Sequence, residues 1–410
     1  MEEIKKDKQI PQWFKKASMV NSWQKWDKRG IDTKKMVGIP LFINVQTKEE
    51  IANVHQIKAK AITYISFMDV SVDSGVPEEE RGEKGRIPYS NTYPEILLIN
   101  KEGKFVNTLM DNSYRMNRYL VCPNNPTYVK KAIECVKKIM DMSSDGLFID
   151  NVDGCGKECY GENLHVGYVE HYHSVATEAP GVKLFDPRIK ALKKHKHFYP
   201  GKDNKYAFTE LLKKVREIIK SYGKEKIIVL NGGFDFIENA DATMIESYIC
   251  SWAWKGRNMN WEKIKEEAKK YTPLLNSGKQ VIALSYLGYP ASTVKDDAFF
   301  CYSAARLCRY IWTDYQTIGD NEANKLYQVN LGKVKTELLS TSGIDYRIYE
   351  NGIIAVNGNK EKRKVELNLE KLLSYTHFKD LYSDKEIKVK DKSLVVEIPK
   401  ESGRVYKGII

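Results

Sequence analysis

Asp145-Gly-Leu-Phe-Ile-Asp-Asn-Val-Asp-Gly154 is the stretch on which the fold turns. A short apolar run, Leu147-Phe148-Ile149, stops at a carboxylate, Asp150, and is followed by Asn151 and a second acid, Asp153. A run this short, apolar on both faces, suits a buried strand of a parallel sheet. Sites in such sheets lie just beyond the carboxyl ends of the strands, so Asp150 sits where a rigid acid can face a substrate. The alternative role for the same acid is to cap the following loop or helix.

Working outward, the pattern repeats from about residue 36 to 316. Gly38–Val45 reads as a first strand and Lys48–Lys58 as a helix; Ala61–Asp69 is a second strand, again closing on an acid. Val70–Asn91, rich in Gly, Pro and charge, reads as a long surface loop. Arg118-Tyr-Leu-Val-Cys122 reads as a third strand. Asn125 then offers an N-cap with Pro126 at the first helical position. Val129, Ala132, Ile133, Val136, Ile139 and Met140 follow at helical spacing as a buried stripe leading into the Asp150 strand. Ile227–Asn231, Ala242–Glu246, Val281–Tyr286 and Tyr310–Asp314 continue the series. Eight strands with intervening helices predict a (β/α)8 TIM barrel. An open doubly wound sheet is the alternative, but no Gly-rich dinucleotide fingerprint follows a strand.

Beyond about Val329 the period changes. Tyr346–Tyr349, Gly352–Asn357, Lys364–Asn368, Leu394–Ile398 and Arg404–Tyr406 are short strands between turn residues, and Val365, Leu367 and Leu369 alternate with polar neighbours. The expected division is a catalytic barrel over residues 1–328, with an insertion at about 154–205, and a small C-terminal all-β sandwich over 329–410.

Composition narrows the function. The net charge of +12 arises from 66 Lys and Arg against 54 Asp and Glu spread along 410 residues. No dense basic block interleaved with aromatics stands out, so nucleic acid is not an expected partner. No window approaches the ~18 apolar residues that cross a bilayer, so no membrane span is expected. The charged start, Met1-Glu-Glu-Ile-Lys-Lys, has no signal-peptide core, which leaves localisation open between cytoplasm and a secreted form lacking its leader. Seven cysteines, an odd number, do not read as a disulfide framework.

Three pieces carry a family resemblance: Pro94-Glu-Ile-Leu-Leu-Ile-Asn-Lys-Glu-Gly-Lys104, Cys122-Pro-Asn-Asn-Pro126 with its helix, and Asp145–Asp150. Together they resemble barrel glycoside hydrolases, in particular α-glycosidases related to α-amylases and to endo-α-1,4-polygalactosaminidases. The tail from Asp380-Leu-Tyr-Ser to Tyr406 is similar to the β-domain that ends many amylase-type enzymes. The resemblance implies one acid after strand four and a Glu after strand six, which fall on Asp150 as nucleophile and Glu246 as acid/base. It implies a carbohydrate partner, no cofactor and retention of configuration. The chain departs at strand five, where amylases place a Glu and this sequence has Asn231-Gly-Gly233.

The residue types fit glycosidic chemistry, which needs one carboxylic acid to protonate the leaving oxygen and one carboxylate to attack or to activate water. Around the two acids, Asp69, Asn151, Asn231, Tyr248, Trp252, Trp254 and Tyr286 are the candidate substrate contacts, with Tyr289 beside them. Aromatic faces pack against the C–H faces of sugar rings. Asp153, Asp235 and Asp314 are further strand-end or loop acids, and Arg115 and Arg118 are nearby cations. The expected function is cleavage of an α-linked oligo- or polysaccharide by a two-carboxylate mechanism.

Two alternatives stand beside it. The insertion carries Cys155, Cys159, His165, His171 and His173, and with His195 and His197 it holds five of the seven histidines. Cys-x3-Cys lies within zinc-site spacing, so a metal-dependent hydrolase is one alternative, although the pattern matches no zinc motif closely. A non-catalytic carbohydrate-binding barrel is the other. The expected site contains no metal.

Overall fold

A computed structural model describes residues 10–15, 38–71, 96–98, 118–152, 197–251, 256–287, 294–314, 324–370 and 375–409. In chain order the first part comprises β1 (Leu41–Val45), α1 (Lys48–Gln56), β2 (Lys60–Ser66), β3 (Asp69–Ser71), β4 (Arg118–Leu120), α2 (Pro126–Asp141), β5 (Gly146–Asp150), α3 (Asn204–Tyr222), β6 (Ile227–Asn231), β7 (Ala242–Ile245), α4 (Trp261–Asn276), β8 (Gln280–Ser285), α5 (Val294–Leu307) and β9 (Ile311–Asp314). Seven of these strands share one sheet in the order β1-β2-β5-β6-β7-β8-β9. Parallel strands joined through helices define a fold of the (β/α)-barrel kind.

The predicted third strand is a correction. Arg118–Leu120 pairs antiparallel with Asp69–Ser71, and Val121 bridges antiparallel to Leu97, so this segment is a ribbon outside the parallel sheet. The reason is edge occupancy: β2 already has β1 on one side and β5 on the other, which leaves no edge for residues 118–122. Leu120 and Cys122 bury instead with Leu98 in a small separate cluster. Among the described residues Asp150 therefore closes the third strand of the sheet, rather than the fourth, and Glu246 follows the fifth, rather than the sixth.

The chain divides into two compact units: residues 44–52 with 61–243, and residues 1–43, 53–60 and 244–410. In the first, α2 starts as the sequence predicts, with Asn125 accepting from the Tyr128 N–H at 3.1 Å and Pro126 at the first position. Its buried face is Tyr128, Val129, Ala132, Cys135, Val136, Ile139 and Met140, while Ile133 is only half-buried. Burial pushes the Cys135 thiol up to about 12. Two aspartates pin the amino ends of strands: Asp145 accepts from the Ala61 N–H at 2.9 Å, and Asp241, 1% exposed, accepts from the Ile228 N–H at 2.9 Å and from Arg216 at 3.2 Å. Gly146 is required by packing, since a Cβ there would lie 2.2 Å from the Ile227 carbonyl oxygen of the neighbouring strand.

In the second unit, β8 and β9 pair parallel with Ser285 opposite Asp314. The C-terminal region comprises β10 (Leu339–Thr341), β11 (Ile344–Tyr349), β12 (Gly352–Asn357), β13 (Arg363–Asn368), β14 (His377–Asp380), β15 (Glu386–Lys388), β16 (Ser393–Ile398) and β17 (Ser402–Ile409). One antiparallel sheet runs β10-β11-β12-β17-β14-β15, and β13 pairs with β16. Val365 and Leu367 of β13 and Leu394, Val396 and Ile398 of β16 share a buried cluster with Ile344, Tyr346, Ile353 and Phe378 of the larger sheet. Every residue of α5 from Asp297 to Leu307 is buried. Gly403 of β17 lies so close to it that a Cβ would meet the Phe299 carbonyl oxygen at 2.4 Å.

Candidate active site

In the first unit the parallel register sets Ser66 opposite Asp150, and Ile149 opposite Leu230, which brings Asn231 level with Asp150. The Asp150 carboxylate then collects four donors. Oδ1 accepts from the Asn151 backbone N–H and from Asn231 Nδ2, each at 2.8 Å. Oδ2 accepts from the Tyr64 hydroxyl at 2.8 Å and, more distantly, from Asn151 Nδ2 at 3.4 Å. Asn151 Nδ2 also donates to Ser66 Oγ at 3.0 Å. Four donors from three chain segments hold the carboxylate in one orientation, and the group stays half-exposed.

The chain leaves β5 and β6 through the left-handed region. Asn151 has φ 58°, and Gly232 and Gly233 have φ 66° and 62°. Asn and Gly are the residues that adopt this conformation at least cost. Gly233 is also constrained by contact, because a Cβ would come within 2.5 Å of Val152 Cγ2. The Asn231-Gly-Gly233 departure thus has a local use: its asparagine holds Asp150 and its glycines make the turn.

In the second unit Glu246 is half-exposed just past β7, and its Oε1 accepts a hydrogen bond from the Tyr286 hydroxyl. Ser247 (φ 61°) and Ile249 (φ 65°) follow in the left-handed region. A β-branched residue is rarely found there, so the loop is held by its surroundings. The Tyr248 N–H donates to the Leu284 carbonyl at 2.7 Å, Ser285 Oγ donates to the Tyr248 carbonyl at 2.8 Å, and the Tyr286 N–H donates to the Cys250 carbonyl at 3.0 Å. These bonds tie the segment after Glu246 to the end of β8.

Several candidates fall elsewhere. Tyr248 is 3% exposed, packs edge-on against Tyr310 at 6.0 Å, and has its hydroxyl pushed well up by burial. That placement makes it a core residue and corrects its expected sugar contact. Asp69 does not close β2, which ends at Ser66; its backbone opens the antiparallel ribbon. Asp235 is exposed and pairs with Lys205 at 2.6 Å, and Asp314 is fully buried at the end of β9. Trp252, Trp254, Tyr289, Asp153, Arg115, the Arg118 side chain and Cys155, Cys159, His165, His171, His173 and His195 lie outside the described residues. Of the insertion's histidines, His197 is described, 3.7 Å from Cys122 Sγ.

Tyr64 and Ser66 went unnoticed in the sequence. The available signal was their spacing: two apart, they share one face at the carboxyl end of the strand.

No protein-family model matches the sequence, and no curated protein matches it. Solved structures do share its fold. An α-amylase from Anoxybacillus is 10% identical, with a TM-score of 0.52 over 97% of this chain and 99% of that one. A noncanonic maltogenic α-amylase from Thermotoga neapolitana is 10% identical, with a TM-score of 0.52 over 96% and 99%. An α-amylase from Geobacillus thermoleovorans, solved with acarbose, is 10% identical, with a TM-score of 0.50 over 96% and 97%. At such identity the likeness is one of fold, and it runs the length of the chain.

Proposed function

We propose that this chain is a glycoside hydrolase acting on an α-linked oligo- or polysaccharide, with Asp150 as nucleophile and Glu246 as acid/base. The observation that carries the reading is the Asp150 carboxylate, half-exposed at the carboxyl end of a buried parallel strand and oriented by Tyr64, Asn151 and Asn231. The amylase fold supports it, since that fold presents its chemistry at the same strand ends.

In this mechanism Glu246 gives its proton to the glycosidic oxygen while an Asp150 oxygen attacks the anomeric carbon, releasing the leaving sugar as an alcohol. Water, deprotonated by Glu246, then displaces Asp150 and restores both groups. The Tyr286 phenol donates to Glu246 Oε1 and holds that carboxyl in place for proton transfer. Asn231 and Tyr286 orient the two acids. The division into a barrel over residues 1–328 and a sandwich over 329–410 belongs to the same proposal, supported by the core that the two antiparallel sheets share.

The test is a glycan screen with Asp150→Asn and Glu246→Gln beside the parent. Each change is expected to lower kcat by about a thousandfold, within the usual range for a missing acid, base or nucleophile. Full activity in either variant would remove that residue from the mechanism. Proton NMR of the first-formed product should show the substrate's own anomer; the opposite anomer would replace nucleophilic attack with base-assisted attack of water.

A further inference from the structure

The strand-end face of the first unit carries a feature that the two acids do not use. Three of the seven exposed large apolar side chains among the described residues fall there: Phe198 (45% exposed) just before α3, Tyr206 (40%) in its first turn and Phe234 (48%) in the turn after β6. Phe198 and Tyr199 rings lie 4.8 Å apart, and Tyr199 and Tyr206 rings 5.4 Å apart. Exposed apolar groups are normally scattered singly, so a contiguous cluster marks a contact surface.

The cluster is built rather than loose. Asn124, fully buried, accepts at its carbonyl from the Phe198 N–H (2.6 Å) and at Oδ1 from the Tyr199 N–H (2.7 Å). Its Nδ2 donates to the Tyr199 and Lys202 carbonyls, both at 3.1 Å. One buried amide thus holds the loop that presents the rings. The Lys205–Asp235 pair, at 2.6 Å, brings the turn bearing Phe234 beside the start of α3. Two cations stand among the rings. Lys214 Nζ is 4.3 Å from the Phe198 centroid and 5.7 Å from that of Tyr199, and Lys202 Nζ is 5.2 Å from that of Tyr206. Among the described residues neither lysine is in an ion pair, so their charge is available to a ligand.

We propose that Phe198, Tyr199, Tyr206 and Phe234, with Lys202 and Lys214, form a binding surface for an anionic polysaccharide of the uronate type. Apolar ring faces take the C–H faces of the sugars, and the ammonium groups take the carboxylates that such a chain repeats along its length. The net charge of +12 favours approach of the same polymers. The choice of a glycan over other anions rests on the glycosidase reading. Because the 198–202 segment, the start of α3 and the turn after β6 lie on the carboxyl-end side of the sheet, the surface would hold a chain running toward the Asp150 strand end.

The experiment uses the full chain carrying Asp150→Asn, so that binding is read without turnover. Affinity gel electrophoresis would be run against polygalacturonate, a neutral amylose gel and competing oligodeoxythymidine. Polygalacturonate is expected to retard the protein more than amylose does, with the effect weakened between about 50 and 300 mM salt. Phe198→Ala with Tyr206→Ala should weaken binding at least about fivefold. Lys202→Ala with Lys214→Ala should abolish the preference for the acidic gel. All these side chains are partly or well exposed, so a thermal melt should match that of the parent.

Unchanged retardation in both double variants overturns the proposal, as does equal binding of the neutral and acidic gels. Tighter binding of oligodeoxythymidine than of polygalacturonate also overturns it, in favour of a nucleic-acid surface. Hydrolysis by the unmodified chain is measured separately. Binding that depends on these residues, with no glycan cleaved, would leave the surface standing and the hydrolase reading fallen. Cleavage with binding indifferent to the variants would do the reverse.

Discussion

At the scale of single residues, the two acids are held in different ways. Asp150 has four donors spread over both oxygens, whereas the Tyr286 phenol meets Glu246 at one oxygen. An ionised carboxylate only accepts, so donors on both oxygens suit a group that acts as an anion. Tyr64→Phe removes one donor and leaves the ring in place against Phe148, 5.9 Å away. A hydrogen bond to a charged group contributes about 1.5–3 kcal/mol, so kcat/KM should fall about ten- to hundredfold while the thermal midpoint stays near that of the parent. Unchanged kcat/KM would mean that Tyr64 merely fills space. Tyr286→Phe tests the other side: losing the phenol removes a donor from Glu246, and kcat/KM should fall about tenfold. An unchanged kcat/KM would separate Tyr286 from the positioning of Glu246.

At the scale of elements, parallel strands and helices were legible because their signals are local. The Asn125–Pro126 start of α2 and its apolar stripe depend only on neighbours in the chain, and they appear where the periodicity puts them. Residues 118–122 carry the same apolar signal as a sheet strand, yet they pair antiparallel, because which edge is free is decided by strands far away in sequence. The acids were legible as strand-end carboxylates. Their partners were not, since Tyr64 and Asn231 reach Asp150 only once three strands are in register. Tyr248 misled for a related reason: its neighbour in sequence is the acid, but the left-handed residues on both sides of it turn its ring into the core. Two stability predictions belong here. Gly233→Ala must place a Cβ in the left-handed region and against Val152, and should cost about 1–3 kcal/mol by urea unfolding. Asp241→Ala leaves the buried Ile228 N–H without its acceptor and Arg216 without its anion, and should cost about 3 kcal/mol or more. A loss under about half a kcal/mol in either case would mean that the site relaxes more freely than its contacts imply.

At the scale of the molecule, the C-terminal β-region of the second unit is fastened to that unit's helices by buried polar groups as well as by apolar packing. Asp345 of β11, 7% exposed, accepts from Trp261 Nε1 at 2.6 Å and from Lys265 Nζ at 2.9 Å, both on α4, and from Ser340 Oγ. Arg347 donates to the Leu307 carbonyl at the end of α5 at 2.9 Å, and Tyr349 donates to the Arg306 carbonyl at 2.7 Å. Such fastening makes the region a structural extension of the helices it covers, and it predicts one cooperative loss for α4, α5 and the β-strands together. Acid should weaken it. Burial works against the Asp345 charge, but the Ser340, Lys265 and Trp261 donors outweigh it, and its pKa lies below the ordinary 3.8. A carboxyl depressed on folding stabilises the folded state above its unfolded value, and that contribution disappears as pH falls through the folded one. Asp345→Asn keeps the shape and removes the charge, so its thermal midpoint should lie below that of the parent at pH 7. The two midpoints should converge as the pH is lowered from about 4 toward 2, where the parent's own carboxyl becomes protonated. A gap that stays constant over this range would assign the fastening to the shape of the Trp261 contact and not to the charge of Asp345.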